Sequence, residues 1–419
     1  MSTGVENPSS GSDTRAQTLV RSLFDGTVAD PYPIYEELRE KGDGIHWAED
    51  VHGYIVCRYE DVRTIGADAA LYSSDMFWDT PQSWHDPENP TQKRFVDITS
   101  RSFLFSDPPY HTKVRSSFRK AFTPQAMRRW RPLVEEVTTR LIDDYRPGDE
   151  IDIMPGLAAD VPVAVIAAIL GVPEERQAKF REWSIAYAST FDPMAQGERR
   201  DTIIAISMEL VDYLAELAAE RRADPADDLI SLLIATETSD GGHLSDDELL
   251  ATLTLLLAAG NETTTNVIGS GLSLLLEHPQ AKAELAADLT LMPEAVEEMI
   301  RYEPPLHLLF RKTTGEAHLG DHAFGPGTTL LPCPPAANRD PRRFEDPLAF
   351  DIRRTDNRHV SFFHGIHFCV GAALARLETA VVFEQILKGY PGITYGTEPG
   401  VRRSSNSTVR GWQSRPVRL

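Results

Sequence analysis

From His111 to about Lys282, apolar residues recur with a helical period. One segment stands apart. Ser245-Asp246-Asp247-Glu248 has the form of a capping box, a Ser followed three residues later by Glu. The apolar pattern that it opens runs to His278, and Pro279 ends it. At 1.5 Å per residue this helix is roughly 50 Å long. Its middle, Leu253 to Ala259, is apolar on nearly every side apart from Thr254, the pattern of a helix that crosses the interior of a large globule. Further helices are expected over Asp30 to Glu40, Pro293 to Tyr302 and Gly371 to Lys388. Gly44 to Trp47 and Gly53 to Arg58 alternate like two short strands about a turn. After Pro304 the texture changes to Pro, Gly, short strands and turns until about Phe363, and strand-like residues return before Leu419. Tyr72 to Phe105 has poor periodicity and carries Phe77, Trp78, Trp84, Phe95, Phe103 and Phe105 among its prolines. It reads as a long loop, either a binding wall or a surface excursion. The fold class is mainly α with a smaller β-rich region, as a single large domain over 18–419. The polar segment 1–17 is expected to be a flexible tail.

Composition narrows the function. The 419 residues carry 42 Lys and Arg against 63 Asp and Glu, a formal net charge of −21. Such a chain lacks the basic footprint that nucleic-acid binding needs. Mean hydropathy is −0.30, and no apolar run reaches the roughly 18 residues of a membrane span. Cys57, Cys333 and Cys369 are few, odd in number and widely spaced, which implies no disulfide framework and fits a reducing compartment. No apolar leader opens the chain, so the expected location is cytoplasmic, and nothing demands a self-association surface, so a monomer is expected. Against the acidic background, Lys113, Arg115, Arg119, Lys120, Arg128, Arg129 and Arg131 form one stretch with no acid among them.

The sharpest chemical feature is Phe362-Phe363-His364-Gly365-Ile366-His367-Phe368-Cys369-Val370-Gly371, just ahead of a helix. Thiolate is the ligating form of cysteine, and a helix N-terminus favours it. Gly365 and Gly371 would let a flat cofactor approach the backbone. Taken alone, the segment also fits a buried core cysteine, or a zinc site made by His364, His367 and Cys369.

The wider pattern resembles the cytochrome P450 family, whose signature is Phe-Gly-x-Gly-x-His-x-Cys-x-Gly followed by Ala-Arg and Glu. The matching residues are Phe362, Gly365, His367, Cys369, Gly371, Ala375, Arg376 and Glu378. The chain departs at Phe363, where the family usually has Gly, and a bulky residue there must change the local turn or its packing. Other matches follow in order along nearly the whole chain: Asp30 to Pro33, Asp107 to Arg115, Glu298-Met299-Ile300-Arg301, Ala336 to Pro341, and Phe350-Asp351.

The resemblance implies a cytochrome P450 domain that binds haem b (iron protoporphyrin IX), with Cys369 as the metal ligand. A thiolate ligand favours O–O cleavage in dioxygen. Phe362, Gly365, His367, Gly371, Ala259 and Gly260 would border the haem. His111, Arg115, Arg311 and His367 would pair its propionates. Glu298 and Arg301 would be structural, locking their helix to the following meander through Arg354. Ala259-Gly260-Asn261-Glu262-Thr263-Thr264 is similar to the family's acid–alcohol motif, so Glu262 and Thr263 would serve proton delivery to O₂. The plainer reading of these threonines is back-bonding to preceding carbonyls, with a solvated Glu262. The Gly260 position suggests a locally opened helix turn.

The substrate would be a small apolar or aromatic organic molecule, such as a secondary metabolite. Its wall would comprise Phe103 in the aromatic loop, Leu256, Ala259, Leu306, Leu308, Leu309 and the segment from Ser404 to Thr408. Electrons would come from NAD(P)H through separate redox proteins, with a ferredoxin docking near Lys113 to Arg131. Hydroxylation or epoxidation is the expected outcome. Oxidative coupling, desaturation, or a haem sensor without turnover are the alternatives.

Overall fold

The computed structural model describes residues 14–24, 28–75, 88–190, 197–403 and 408–419. The capping box forms as the sequence suggests. Ser245 Oγ accepts from the Glu248 N–H at 3.3 Å, and Glu248 Oε2 accepts from the Ser245 N–H at 2.8 Å. The helix that it starts, Asp246–Glu277, runs 32 residues without a break. It packs against Ala159–Ile169, Gln177–Ser189, Gly197–Ala223, Met292–Tyr302 and Ala372–Gly389. These helices enclose the main apolar core, with Leu253, Leu257, Ile268 and Leu272 fully buried.

A five-stranded sheet lies beside the helical mass, in the order Ile45–Ala48, Gly53–Val56, Thr329–Pro332, Arg311–Thr313, Tyr72–Ser73. The first pair is an antiparallel hairpin with Ile45 opposite Val56 and Ala48 opposite Gly53. Gly53–Val56 runs parallel to Thr329–Pro332, and the remaining pairs are antiparallel. The sheet therefore joins chain segments more than 250 residues apart. It places Arg311 and Ser73 on neighbouring strands at one edge. A second sheet joins Glu150–Asp152, Pro416–Arg418 and Thr394–Tyr395. A further hairpin pairs Val401–Arg402 with Trp412–Ser414.

Two expectations change. The first described element is a helix at Thr14–Phe24, so residues 14–17, expected to be tail, are helical, and residues 1–13 lie outside the described residues. Ala16, Leu19 and Val20 recur at helical spacing and are buried against Tyr35 and Leu38. The stretch expected to be one long loop contains a helix, Pro90–Thr99. Its start is set locally: the Asn89 side chain accepts from the N–H groups of Thr91 and Gln92 at 3.0 and 3.3 Å, and Pro90 fills the first turn. Phe95, Val96 and Ile98 then face the core. Phe77, Trp78 and Trp84 lie outside the described residues. No described helix is long and apolar enough to cross a membrane.

Candidate active site

From Glu248 to Leu275 every residue of the long helix is buried except four: Ala259, Gly260, Glu262 and Thr263. Exposed small residues halfway along a buried helix mark a void inside the protein. A Cβ built on Gly260 would meet nothing within 4 Å. The helix stays continuous here, so the glycine leaves room without opening a turn. Thr263 Oγ1 donates to the Ala259 carbonyl at 2.6 Å, the back-bond expected of a helical threonine. Glu262 is not simply solvated. It forms an ion pair with Arg403, which the hairpin near the C-terminus brings in from 141 residues away.

The cysteine loop is closed by hydrogen bonds from Phe363 N to Val360 O and from Cys369 N to Phe362 O, both 2.9 Å. Gly365 has φ +71°, and a Cβ there would collide with the Gly66 carbonyl on the helix Tyr59–Ala67. That close approach requires glycine whether or not a cofactor lies alongside. Cys369 is exposed by surface area, yet protein surrounds it and burial pushes its thiol pKa up. The combination sets the sulfur on the wall of an enclosed space. Working against burial are the Gly371 N–H, the charges of Arg115 and Arg376, and the Ala372 N–H, all of which favour thiolate.

Beside this loop, four nitrogen-bearing side chains converge. The rings of His111 and His367 lie 4.3 Å apart, and His111 is buried with no hydrogen-bond partner on either ring nitrogen among the described residues. His367 Nε2 meets Ser74 Oγ at 2.9 Å. Arg115 donates to the Phe368 carbonyl. Arg311 is 7% exposed and donates only to the Phe310 carbonyl, at 2.6 Å, with no ion pair among the described residues. Burial first, and then the cations around it, push His367 down to about 2. Burial and Arg115 push His111 down to about 4. Burial takes Arg311 down to about 10, although Asp107 opposes it. The nearby carboxylate of Asp107 is already engaged by Ser73 Oγ and the Ser74 N–H. A buried cluster whose cations lack an ion pair is costly unless an anion joins it. A group bearing carboxylates, set beside the cysteine loop, fits these residues. Among the described residues no three His, Cys, Asp or Glu side chains form a metal cage, so His364, His367 and Cys369 do not make a zinc site.

Comparison with known proteins agrees with this geometry. The family described as cytochrome P450 matches residues 81–398. The chain belongs to that family. A putative cytochrome P450, YjiB of Bacillus subtilis, is 35% identical over 97% of this chain and 99% of its own length. The cytochrome P450 monooxygenase PikC of Streptomyces venezuelae is 37% identical over 93% of this chain and 91% of its own. The structure of PksS, a bacillaene polyketide synthase cytochrome P450 from Bacillus subtilis, superposes with a TM-score of 0.83 at 33% identity. It covers 93% of this chain and 97% of that one. The protein is thus an oxidoreductase of the P450 type, a monooxygenase that works with haem and dioxygen.

Within this P450 the remaining site residues are placed unevenly. Leu306 and Leu309 are half-buried, and the exposed Phe310 follows them. Leu308 is 3% exposed and packs in a cluster with Tyr35, Leu38 and Leu331, and Leu256 is buried in the main core. Phe103 is buried against Phe118 and His111, with ring centres 5.2 and 6.0 Å away, whereas its neighbour Leu104 is exposed. Leu306 bridges to Val409, and His307 N donates to Thr408 O at 2.8 Å, so the strip before Arg311 is tied to the hairpin that carries Arg403. Residues 404–407 lie outside the described residues.

The basic stretch is less free than its sequence implies. Lys113 pairs with Glu248 at 2.9 Å, Arg129 with Asp227, and Arg131 with Glu135 and Glu384 at 2.8 and 2.6 Å. Arg115 turns inward to the Phe368 carbonyl. Arg128 remains exposed without an ion pair among the described residues. Sequence reasoning did not foresee the Arg403 partner of Glu262, because no local spacing announces a contact of that range.

Proposed function

We propose that Cys369, as thiolate, ligates the iron of a haem b whose propionates are met by His111, Arg115, Arg311 and His367. The observation that carries this is the buried cluster of Arg311, His111 and His367 beside an accessible cysteine; the cluster's one nearby carboxylate among the described residues, Asp107, is engaged by Ser73 and Ser74. When bound, the haem supplies oxygen activation, and its thiolate ligand adds electron density that favours O–O cleavage. The chain's own residues do the rest. Gly371 and Ala372 offer N–H groups to the sulfur. Thr263 and Glu262 would be the alcohol and the acid that pass protons inward. Arg403 pairs with the Glu262 side chain and fixes where it sits.

The reaction we assign is insertion of one oxygen atom, by hydroxylation or epoxidation, into an apolar or aromatic organic substrate. Leu306, Leu309 and Ala259 would form part of its wall. The kinship with PksS favours a secondary metabolite of polyketide character. Electrons would reach the site from NAD(P)H through a reductase and an acidic ferredoxin, with Arg128 on the docking face. The deciding experiment is the carbon monoxide difference spectrum of the reduced protein. We expect the red-shifted Soret band of a thiolate-ligated haem, and its loss in Cys369→Ser. A band like that of a histidine-ligated globin would defeat the assignment.

A further inference from the structure

Phe363 occupies the left-handed region, with φ +60°, in the turn that leads into the cysteine loop. That conformation is unfavourable for a bulky side chain and free for glycine. The turn itself is fixed on both sides. Phe363 N donates to Val360 O at 2.9 Å, and Gly365 is wedged against Gly66. The chain thus keeps a glycine-type backbone while carrying a phenyl ring, so the ring must contribute something that offsets the strain. It is 7% exposed and sits in a cluster with Tyr59, Phe344 and Val360. One face is covered by the Arg311 guanidinium, 4.7 Å from the ring centre. Arg311 has a single carbonyl acceptor and no ion pair among the described residues, and the nearest acid, Asp107, is engaged by Ser73 and Ser74.

These facts fit together through the nature of the contact. A carboxylate beside Arg311 would fix the guanidinium but also use up its fork of donors and its charge. An aromatic face attracts the cation without occupying its N–H groups. We infer that Phe363 is a positioning residue for Arg311. Its ring holds the guanidinium in place and leaves the N–H donors available to a haem carboxylate. The inference rests on the haem reading above, and it concerns a residue that departs from the family signature.

The test is a double-mutant cycle read by haem release to an excess of apo-globin, with the carbon monoxide spectrum recorded for every variant. Phe363→Leu keeps an apolar side chain in the cluster but removes the aromatic face. It should release haem about five-fold faster, the size expected of one cation–π contact. Phe363→Tyr should restore wild-type release. In an Arg311→Gln background, Phe363→Leu should make no further difference, whereas a merely structural role would give the same loss in both backgrounds. Phe363→Met, which fills irregular space, replaces Leu if that variant does not fold. Wild-type release from Phe363→Leu, or an equal loss in both backgrounds, overturns the inference. A wild-type protein without a thiolate-type spectrum would instead overturn the haem reading.

Discussion

Arg301 and Arg311 are ten residues apart and both are buried, yet their surroundings differ completely. Arg301 meets Glu298 through two bonds of 2.7 Å and donates to the carbonyls of Asn338, Pro347 and Ala349 at 2.9 to 3.0 Å. Glu298 in turn accepts from the Asp351 N–H, Arg354 and Asn357. All five Arg301 donors and both Glu298 oxygens are used, and the helix Met292–Tyr302 is thereby locked to the meander. Arg311 has one carbonyl, one aromatic face, two histidines and an Asp107 carboxylate already engaged by Ser73 and Ser74 for neighbours, and no ion pair among the described residues. A buried charge with all partners inside the chain is architecture. A buried charge lacking them is half of a binding site, because its desolvation cost is recovered only when an anion arrives.

The largest effect should come from breaking the complete network. Glu298→Gln leaves Arg301 buried without its counter-charge and should cost about 3–5 kcal/mol. Urea unfolding of the haem-free protein reads this directly. A loss below about 1 kcal/mol would show that the carbonyls alone satisfy Arg301, and the contrast with Arg311 would fade. Next in size is a pair of intermediate kind. Glu262 and Arg403 are each partly exposed, so the bond adds little to stability. Its role should be kinetic. Glu262→Gln should slow product formation by about 100-fold, the lower end of general acid–base contributions, with an unchanged carbon monoxide spectrum. Wild-type coupling of electrons to product in that variant would remove Glu262 from the proton path.

Arg311→Gln comes third and has the opposite signature to Glu298→Gln. Removing an unpaired buried cation should leave the haem-free protein as stable as before, or more so. Haem affinity should fall by about thirty-fold, the worth of a charge-assisted hydrogen bond of about 2 kcal/mol. Calorimetry of the haem-free form and haem transfer kinetics separate the two effects. If both fell together, Arg311 would belong with Arg301 as a structural residue.

How far the sequence foretold these contrasts depends on the range of the interactions. The long helix was legible because its cap, its apolar run and its terminating Pro279 are all local. The helix Pro90–Thr99 escaped notice although Asn89-Pro90 is a good start signal, because the aromatic residues around it drew the segment into one loop. The cysteine loop was legible through its fixed spacing. The conformational cost of Phe363, roughly 1–2 kcal/mol, was not, since φ is set by the turn and not by the residue. The partners of Glu262 and Arg311 escaped for a different reason. Arg403 arrives across 141 residues, and the lack of an ion pair to Arg311 among the described residues becomes visible only when the chain is folded. The basic run also misled in part, because the acids that neutralise it lie elsewhere in the sequence, at Asp227, Glu248 and Glu384.

That last point carries the contrast to the surface and gives the smallest expected effect. Arg129 and Arg131 are exposed or half-exposed but have carboxylates of this chain beside them, so a partner protein meets little net charge there. Arg128 has none among the described residues, so its charge is available to steer the acidic ferredoxin proposed above, whereas the side chains of Arg119 and Lys120 lie outside those described. Charge at the rim of an interface acts on the encounter rate and is screened by salt. Arg128→Glu should therefore slow reduction by ferredoxin about three-fold at low ionic strength, and the difference should shrink as salt is raised toward 0.5 M. Arg129→Ala removes one charge but uncovers Asp227, so it too should slow reduction, though less. Stopped-flow reduction across a salt series distinguishes them. Equal and salt-independent rates for both variants would mean that the redox partner docks elsewhere, and that the local reversal of charge at Lys113 to Arg131 serves only the chain's own acids.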